Sequence, residues 1–127
     1  MRTTTKIFDT LLVLFVLAGP VMAKTIATAS WYGVGDGSGE YTASGMHFNP
    51  MNPYRVAHKT LPFGTRLMVT NVENGKALCV EVQDRGPFVP GRDFDLTLAG
   101  ALMLGFVEDG IAKLTVQKEW CYIPRIG

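Results

Sequence analysis

Cysteine, histidine and charge are all scarce in this chain. Its 127 residues hold two cysteines, two histidines and 18% charged side chains. Cys79 and Cys121 lie far along the chain from His47 and His58, and no spacing among the four resembles a metal site, so no metal or other cofactor is expected. The chain also lacks an apolar run long enough to span a bilayer, which takes roughly 20 residues. Its one such run, Leu11 to Ala18, follows Arg2 and Lys6, breaks at Gly19-Pro20 and gives way to Val-Met-Ala at residues 21–23. Basic start, apolar stretch and small-residue exit site, in that order, predict a signal peptide over residues 1–23. Residues 24–127 are then one domain, too short for a second core. No cysteine follows the run to offer a thiol for lipid, so a monomer free of the membrane is expected after cleavage, periplasmic or secreted. Arg2, Lys6 and Asp9 leave with the leader, out of 12 basic and 11 acidic residues, and the remainder is formally neutral. That removes the electrostatic case for nucleic acid or anionic lipid and favours a ligand read by shape and hydrogen bonds. In an exported chain an even cysteine count suggests a Cys79–Cys121 disulfide, two buried thiols being the alternative.

What is present reads mostly as β-structure. Thr25 to Gly33 is β-branched and aromatic, and a glycine-rich loop follows to Gly45. Arg66 to Asp84 holds two alternating strands around Asn74-Gly75, a strong hairpin signal because both turn positions favour positive φ. In its second strand Leu78, Val80 and Val82 share one face and Cys79, Glu81 and Gln83 the other, so Cys79 points toward a tail carrying Cys121. Leu98, Ala101, Leu102 and Gly105 recur at helical spacing and predict a short helix near Thr97 to Leu104, capped by Asp95 or Thr97. Gly110 to Trp120 alternates Ala112, Leu114 and Val116 with Lys113, Thr115 and Gln117, as a final strand does. Short strands, one helix and glycine-rich connections predict a small closed all-β barrel, since closure removes exposed edges.

Few residues offer chemistry. Asp84 ends a strand just before Arg85-Gly86-Pro87, where a stiff turn would hold its carboxyl in place. It reads either as a general acid or as a turn aspartate bonding backbone amides. His58 precedes a Thr-Leu-Pro-Phe-Gly turn and suits a hydrogen bond to a carboxylate or a sugar hydroxyl; His47 lies in a looser segment. Arg85 and Arg92 flank the proline loop, and either would depress an aspartate it clamped. Trp31, Tyr32, Tyr41 and Tyr54 lie in or near loops, as sugar platforms or as core cover. Glycoside cleavage usually takes two carboxyl groups. Of Asp36, Glu40, Asp84, Asp93 and Asp95, only Asp84 is positioned by its local sequence. A single acid suffices where the sugar brings its own nucleophile, as the C6 hydroxyl of N-acetylmuramic acid does when it attacks C1.

The motifs ASWYG (29–33), TASG (42–45), AHKTLPFGT (57–65), VTN (69–71), NG (74–75), DRGPF (84–88), GR (91–92) and DLT (95–97) occur in that order. Together they closely resemble the rare lipoprotein A family. The resemblance implies a six-stranded double-psi β-barrel with one or two short helices, a fold shared with expansins. It also implies an exported lytic transglycosylase that cuts peptidoglycan glycan strands, with other cell-wall or division proteins as further partners. The family's catalytic aspartate falls on Asp84 and its active-site histidine on His58, with Tyr32, Thr42 and Arg85 expected to bind the glycan. One position departs from the pattern. The family's glutamate after the TASG run is Met46 here, which exchanges no proton, and Glu40 lies six residues earlier. That substitution supports the alternative of a non-catalytic, expansin-like glycan-binding or wall-loosening barrel.

Overall fold

The computed structural model describes residues 23–32 and 39–125. The leader expected over residues 1–23 falls outside them but for Ala23, as does the part of the glycine-rich loop that holds Asp36. The described residues form six strands in chain order: β1 (Thr25–Tyr32), β2 (Arg55–His58), β3 (Arg66–Asn71), β4 (Ala77–Asp84), β5 (Phe94–Thr97) and β6 (Ile111–Lys118). Among the described residues one helix, α1 (Leu98–Leu104), lies between β5 and β6. The strands close a barrel in the order β1-β5-β2-β4-β3-β6. The β1–β5 and β2–β4 pairs are parallel and the rest antiparallel. Closure gives each described strand a partner on both sides, which suits a domain this small.

Alternation dictates the core. Leu67 and Val69 of β3, Leu78, Val80 and Val82 of β4, Val56 of β2, Leu96 of β5 and Leu114 and Val116 of β6 point inward and are buried. On β4 the outward residues Cys79 and Gln83 are buried as well. Cys79 is covered by its disulfide to Cys121, 42 residues on, with Cα atoms 5.9 Å apart. The Arg66 guanidinium, ion-paired to Glu81 at 3.3 Å, donates to the Cys121 carbonyl and lies over the Trp120 ring, so the tail is pinned to the wall. Thr97 caps α1: its hydroxyl accepts the Gly100 amide.

The β3–β4 connection differs from the two-residue hairpin that Asn74-Gly75 predicts. It runs over residues 72–76, and only Gly75 has positive φ. The Asn74 side chain works through hydrogen bonds instead. It accepts the Lys76 amide and, together with Asn71, donates to the Leu104 carbonyl at the end of α1. Gly105 terminates the helix in the left-handed region. A Cβ there would come within 2.8 Å of the Asn74 amide nitrogen, so the hairpin and the helix end require that glycine.

Candidate active site

A groove of about 600 Å³ crosses the outer face of β1, β5 and β2. Residues 85–92 and the segment around Tyr41 and Phe48 wall it. Ala57 of β2 lies opposite Asp84 of β4 on one side and Asp95 of β5 on the other, and Asp95 lies opposite Ser30 of β1. Residues paired across strands share a face. Register therefore collects Ser30, Ala57, Asp84 and Asp95 on one surface, and all four line the groove.

The Asp84 carboxylate is fixed at both oxygens. Oδ1 accepts the Ala43 and Arg85 amides, each at 2.9 Å, and Oδ2 accepts the Tyr32 hydroxyl at 3.2 Å. Asp84 bonds backbone amides, as a turn aspartate does, and it also faces the groove. Tyr32 stacks on Phe48 with ring centroids 5.1 Å apart, which orients its hydroxyl. Tyr41 and Phe88 stand at the rim, largely exposed. Trp31 donates its indole N–H to the Val107 carbonyl and packs on the core while lining the groove, whereas Tyr54 packs on the core and lines a separate cavity.

His58 sits elsewhere. It is one residue beyond Ala57, so its ring takes the opposite face of β2 and packs against Phe94, in a separate cavity at the barrel end. Its Nδ1 accepts the Thr60 and Leu61 amides at 3.1 and 3.0 Å. Burial, and then the positive charge of Arg85, hold its pKa below the ordinary histidine value, with Lys59 adding to the lowering and Asp93 opposing it. The structure does not bring the His58 ring to Asp84; alternation along β2 separates them. Thr42 is also displaced from its expected place. It is buried and does not line the groove; its hydroxyl bonds Ser44 and accepts the Met46 amide. Arg85 borders the groove but turns its guanidinium away, donating to the His58 and Leu61 carbonyls and lying over the Phe63 ring. Among the described residues neither Arg85 nor Arg92 forms an ion pair with Asp84.

Met46 is exposed at the turn that Thr42 closes, where its carbonyl accepts the Thr42 amide. Glu40 and His47 are exposed and 3.7 Å apart. Asp95 is the groove residue that local sequence missed. It reads there as a helix cap, and only the pairing of β5 with β2 and β1, invisible in a four-residue strand, turns it toward Asp84. Among the described residues no three His, Cys, Asp or Glu side chains converge as metal ligands would.

This barrel is a double-psi β-barrel. It superposes on Streptomyces papain inhibitor with a TM-score of 0.60 at 22% identity, covering 77% of this chain and 96% of that one. It also superposes on the apo expansin of Clavibacter michiganensis at 0.61 and 23%, covering 80% of this chain and 54% of that one. Both likenesses concern the fold. Residues 24–116 match the family described as lytic transglycolase, and the chain belongs to it. Among curated relatives it is 47% identical over 102 residues to the probable endolytic peptidoglycan transglycosylase RlpA of Nostoc sp., covering 80% of this chain and 27% of the relative. It is 52% identical over 93 residues to the protein of that name from Aquifex aeolicus, covering 73% and 40%. To the endolytic peptidoglycan transglycosylase RlpA of Pseudomonas aeruginosa it is 43% identical over 94 residues, covering 74% and 27%. The chain thus spans between 27% and 40% of the length of these relatives.

Proposed function

We propose that the protein is an exported lytic transglycosylase that cleaves peptidoglycan glycan strands outside the cytoplasm, in the periplasm or beyond it. One observation carries the reading: a carboxyl group, Asp84, held by three donors in an open groove with aromatic walls. With two amides on Oδ1, the transferable proton belongs on Oδ2. The Tyr32 hydroxyl donates to that oxygen when it is ionised and accepts from it when protonated. Asp84 protonates the glycosidic oxygen as the C1–O bond breaks. The C6 hydroxyl of the muramyl residue forms the new bond to C1, and its proton returns to Asp84. The product is a 1,6-anhydro end and no water is consumed. Arg85 and His58 act as positioning residues, one bonding the turn after β2 and the other bonding that turn's amides. Thr42 shapes the wall that offers the Ala43 amide.

The test is digestion of intact and peptide-stripped glycan by the purified protein, disulfide intact, with mass spectrometry of the ends. Anhydro-muramyl ends are expected, falling about 1,000-fold in Asp84→Asn, as removal of a general acid–base group does. Met46 favours a second reading, an expansin-like barrel that binds glycan without cutting it. Sedimentation with glycan and no anhydro ends would establish that reading in place of the first.

A further inference from the structure

We propose that Arg55, Arg66 and Arg125 form an anion pocket that takes a carboxylate of the stem peptide carried by the glycan strand. The inference deepens the glycan-cleaving reading above and rests on it for the identity of the ligand. The pocket holds about 290 Å³ and lies outside β2, β4 and β3. Register builds it. Glu81 of β4 is the cross-strand partner of Arg55 on β2 and of Arg66 on β3, so the three side chains stand in a row on one face. The tail supplies the third cation. Residues 123–125 line the same cavity, and the Cys79–Cys121 disulfide and the bond from Arg66 to the Cys121 carbonyl hold the tail there. Three guanidinium groups thus meet one carboxylate, in a chain whose formal net charge is only +1.

That carboxylate is already engaged at both oxygens. Glu81 Oε2 accepts Arg66 Nε at 3.3 Å, and Oε1 accepts Gln83 Nε2 at 2.7 Å. Arg55 is half-buried and stands opposite Glu81 in register, yet among the described residues no acceptor bonds it, and none bonds Arg125. A guanidinium keeps its charge and five donors, and its planar fork suits the two oxygens of a carboxylate. Position supplies the source of that carboxylate. A register shift between Val56 and Ala57 sets Ala57 opposite Asp84. Arg55 and Ala57, two residues apart on β2, therefore share the face on which the groove opens, with Cα atoms about 7 Å apart. A muramyl residue that presents C1 to Asp84 carries its stem peptide on the lactyl group of the same ring, and that peptide bears free carboxylates. The pocket thereby favours strands that keep their peptides.

The test measures binding and cleavage of three substrates: intact peptidoglycan, peptide-stripped glycan, and peptidoglycan whose carboxyl groups have been amidated. It compares the parent with Arg55→Gln and Arg125→Gln, disulfide intact. The parent is expected to bind intact peptidoglycan about tenfold more tightly than either of the others, the scale of one charge-assisted bond from a partly exposed group. Arg55→Gln is expected to lose that advantage and Arg125→Gln about a threefold part of it. Both should keep kcat and the binding of stripped glycan within about twofold of the parent. A general loss of structure would weaken all three substrates alike, so the pattern separates recognition from folding. Arg55→Gln that binds intact peptidoglycan as the parent does overturns the proposal, and so does amidated peptidoglycan that binds as well as intact. If Arg55→Gln melts well below the parent, Arg125→Gln in the tail decides, and unchanged binding there overturns the proposal. A parent that makes anhydro ends from all three substrates with no preference overturns the pocket alone. An Arg55-dependent preference without anhydro ends overturns the transglycosylase reading and leaves the pocket standing.

Discussion

The turn after β2 and the turn after β4 are both built from glycine and proline, yet they use their polar groups in opposite ways. Residues 59–65 close on themselves and on β4. The His58 ring accepts two of their amides, the Gly64 amide donates to the Val82 carbonyl, the Thr65 amide donates to the Pro62 carbonyl, and Arg85 donates to the Leu61 carbonyl. Residues 85–93 stay open. The Arg92 and Asp93 amides donate to the Val89 and Thr28 carbonyls, while Phe88 stands 78% exposed at the groove. One turn is scaffold and the other is wall. Arg85 belongs to the second turn and reaches back to hold the first, which links the rigidity of one to the placement of the other. The histidine that draws attention in the sequence bonds the first turn, and the aspartate faces the groove.

The largest effect on this division is expected from Arg85→Ala. It removes two charge-assisted bonds to the His58 and Leu61 carbonyls and the contact with Phe63. Bonds to charged groups are worth about 1.5–3 kcal/mol each in favourable cases. Arg85 is partly exposed, so about 2 kcal/mol in total is expected, a fall of roughly 10 °C in Tm. Arg85→Lys should recover little, because an ammonium lacks the fork that reaches two carbonyls. A variant that melts with the parent would show that the two turns are independent.

His58→Ala is expected to cost less, about 1–2 kcal/mol, since it strips the acceptor from the Thr60 and Leu61 amides. Anhydro-end formation by the folded variant should stay within about fivefold of the parent. An activity loss as deep as that of Asp84→Asn at unchanged Tm would break the comparison and move His58 into the chemistry.

The sequence carried the barrel's long strands, its helix and the Asp84 turn, because each rests on a local pattern: alternation, helical spacing, a strand meeting proline. The strands β2 and β5 are four residues each, too short for a period to register. Yet those two strands build the groove floor. Which face a residue takes there follows from pairing distant in sequence, and it is this pairing that sends Ala57 and Asp95 toward Asp84 and His58 away. The Met46 position was legible as a departure from the family pattern. That Thr42 closes the turn beneath it, with its own backbone bonded to Met46, was not, since TASG reads equally as wall or as turn.

The smallest effect is a pH dependence, and its sign separates scaffold from chemistry. Nδ1 of His58 accepts two amides, so the folded ring is neutral with its proton on Nε2, and an added proton must displace both bonds. Burial and the charges of Arg85 and Lys59 act in the same direction, against the weaker pull of Asp93, and the folded pKa lies below 6.5. The unfolded chain takes up its proton near 6.5, before the folded one does. Between these values it binds more protons, so stability is full above about 6.5 and declines as pH falls toward the folded pKa. Chemical denaturation of the parent from pH 7.5 downward should show that decline, and His58→Gln should lose the part of it that His58 contributes. If His58 were instead held protonated against Asp84, the folded pKa would be raised, and the parent would gain stability over the same interval relative to His58→Gln.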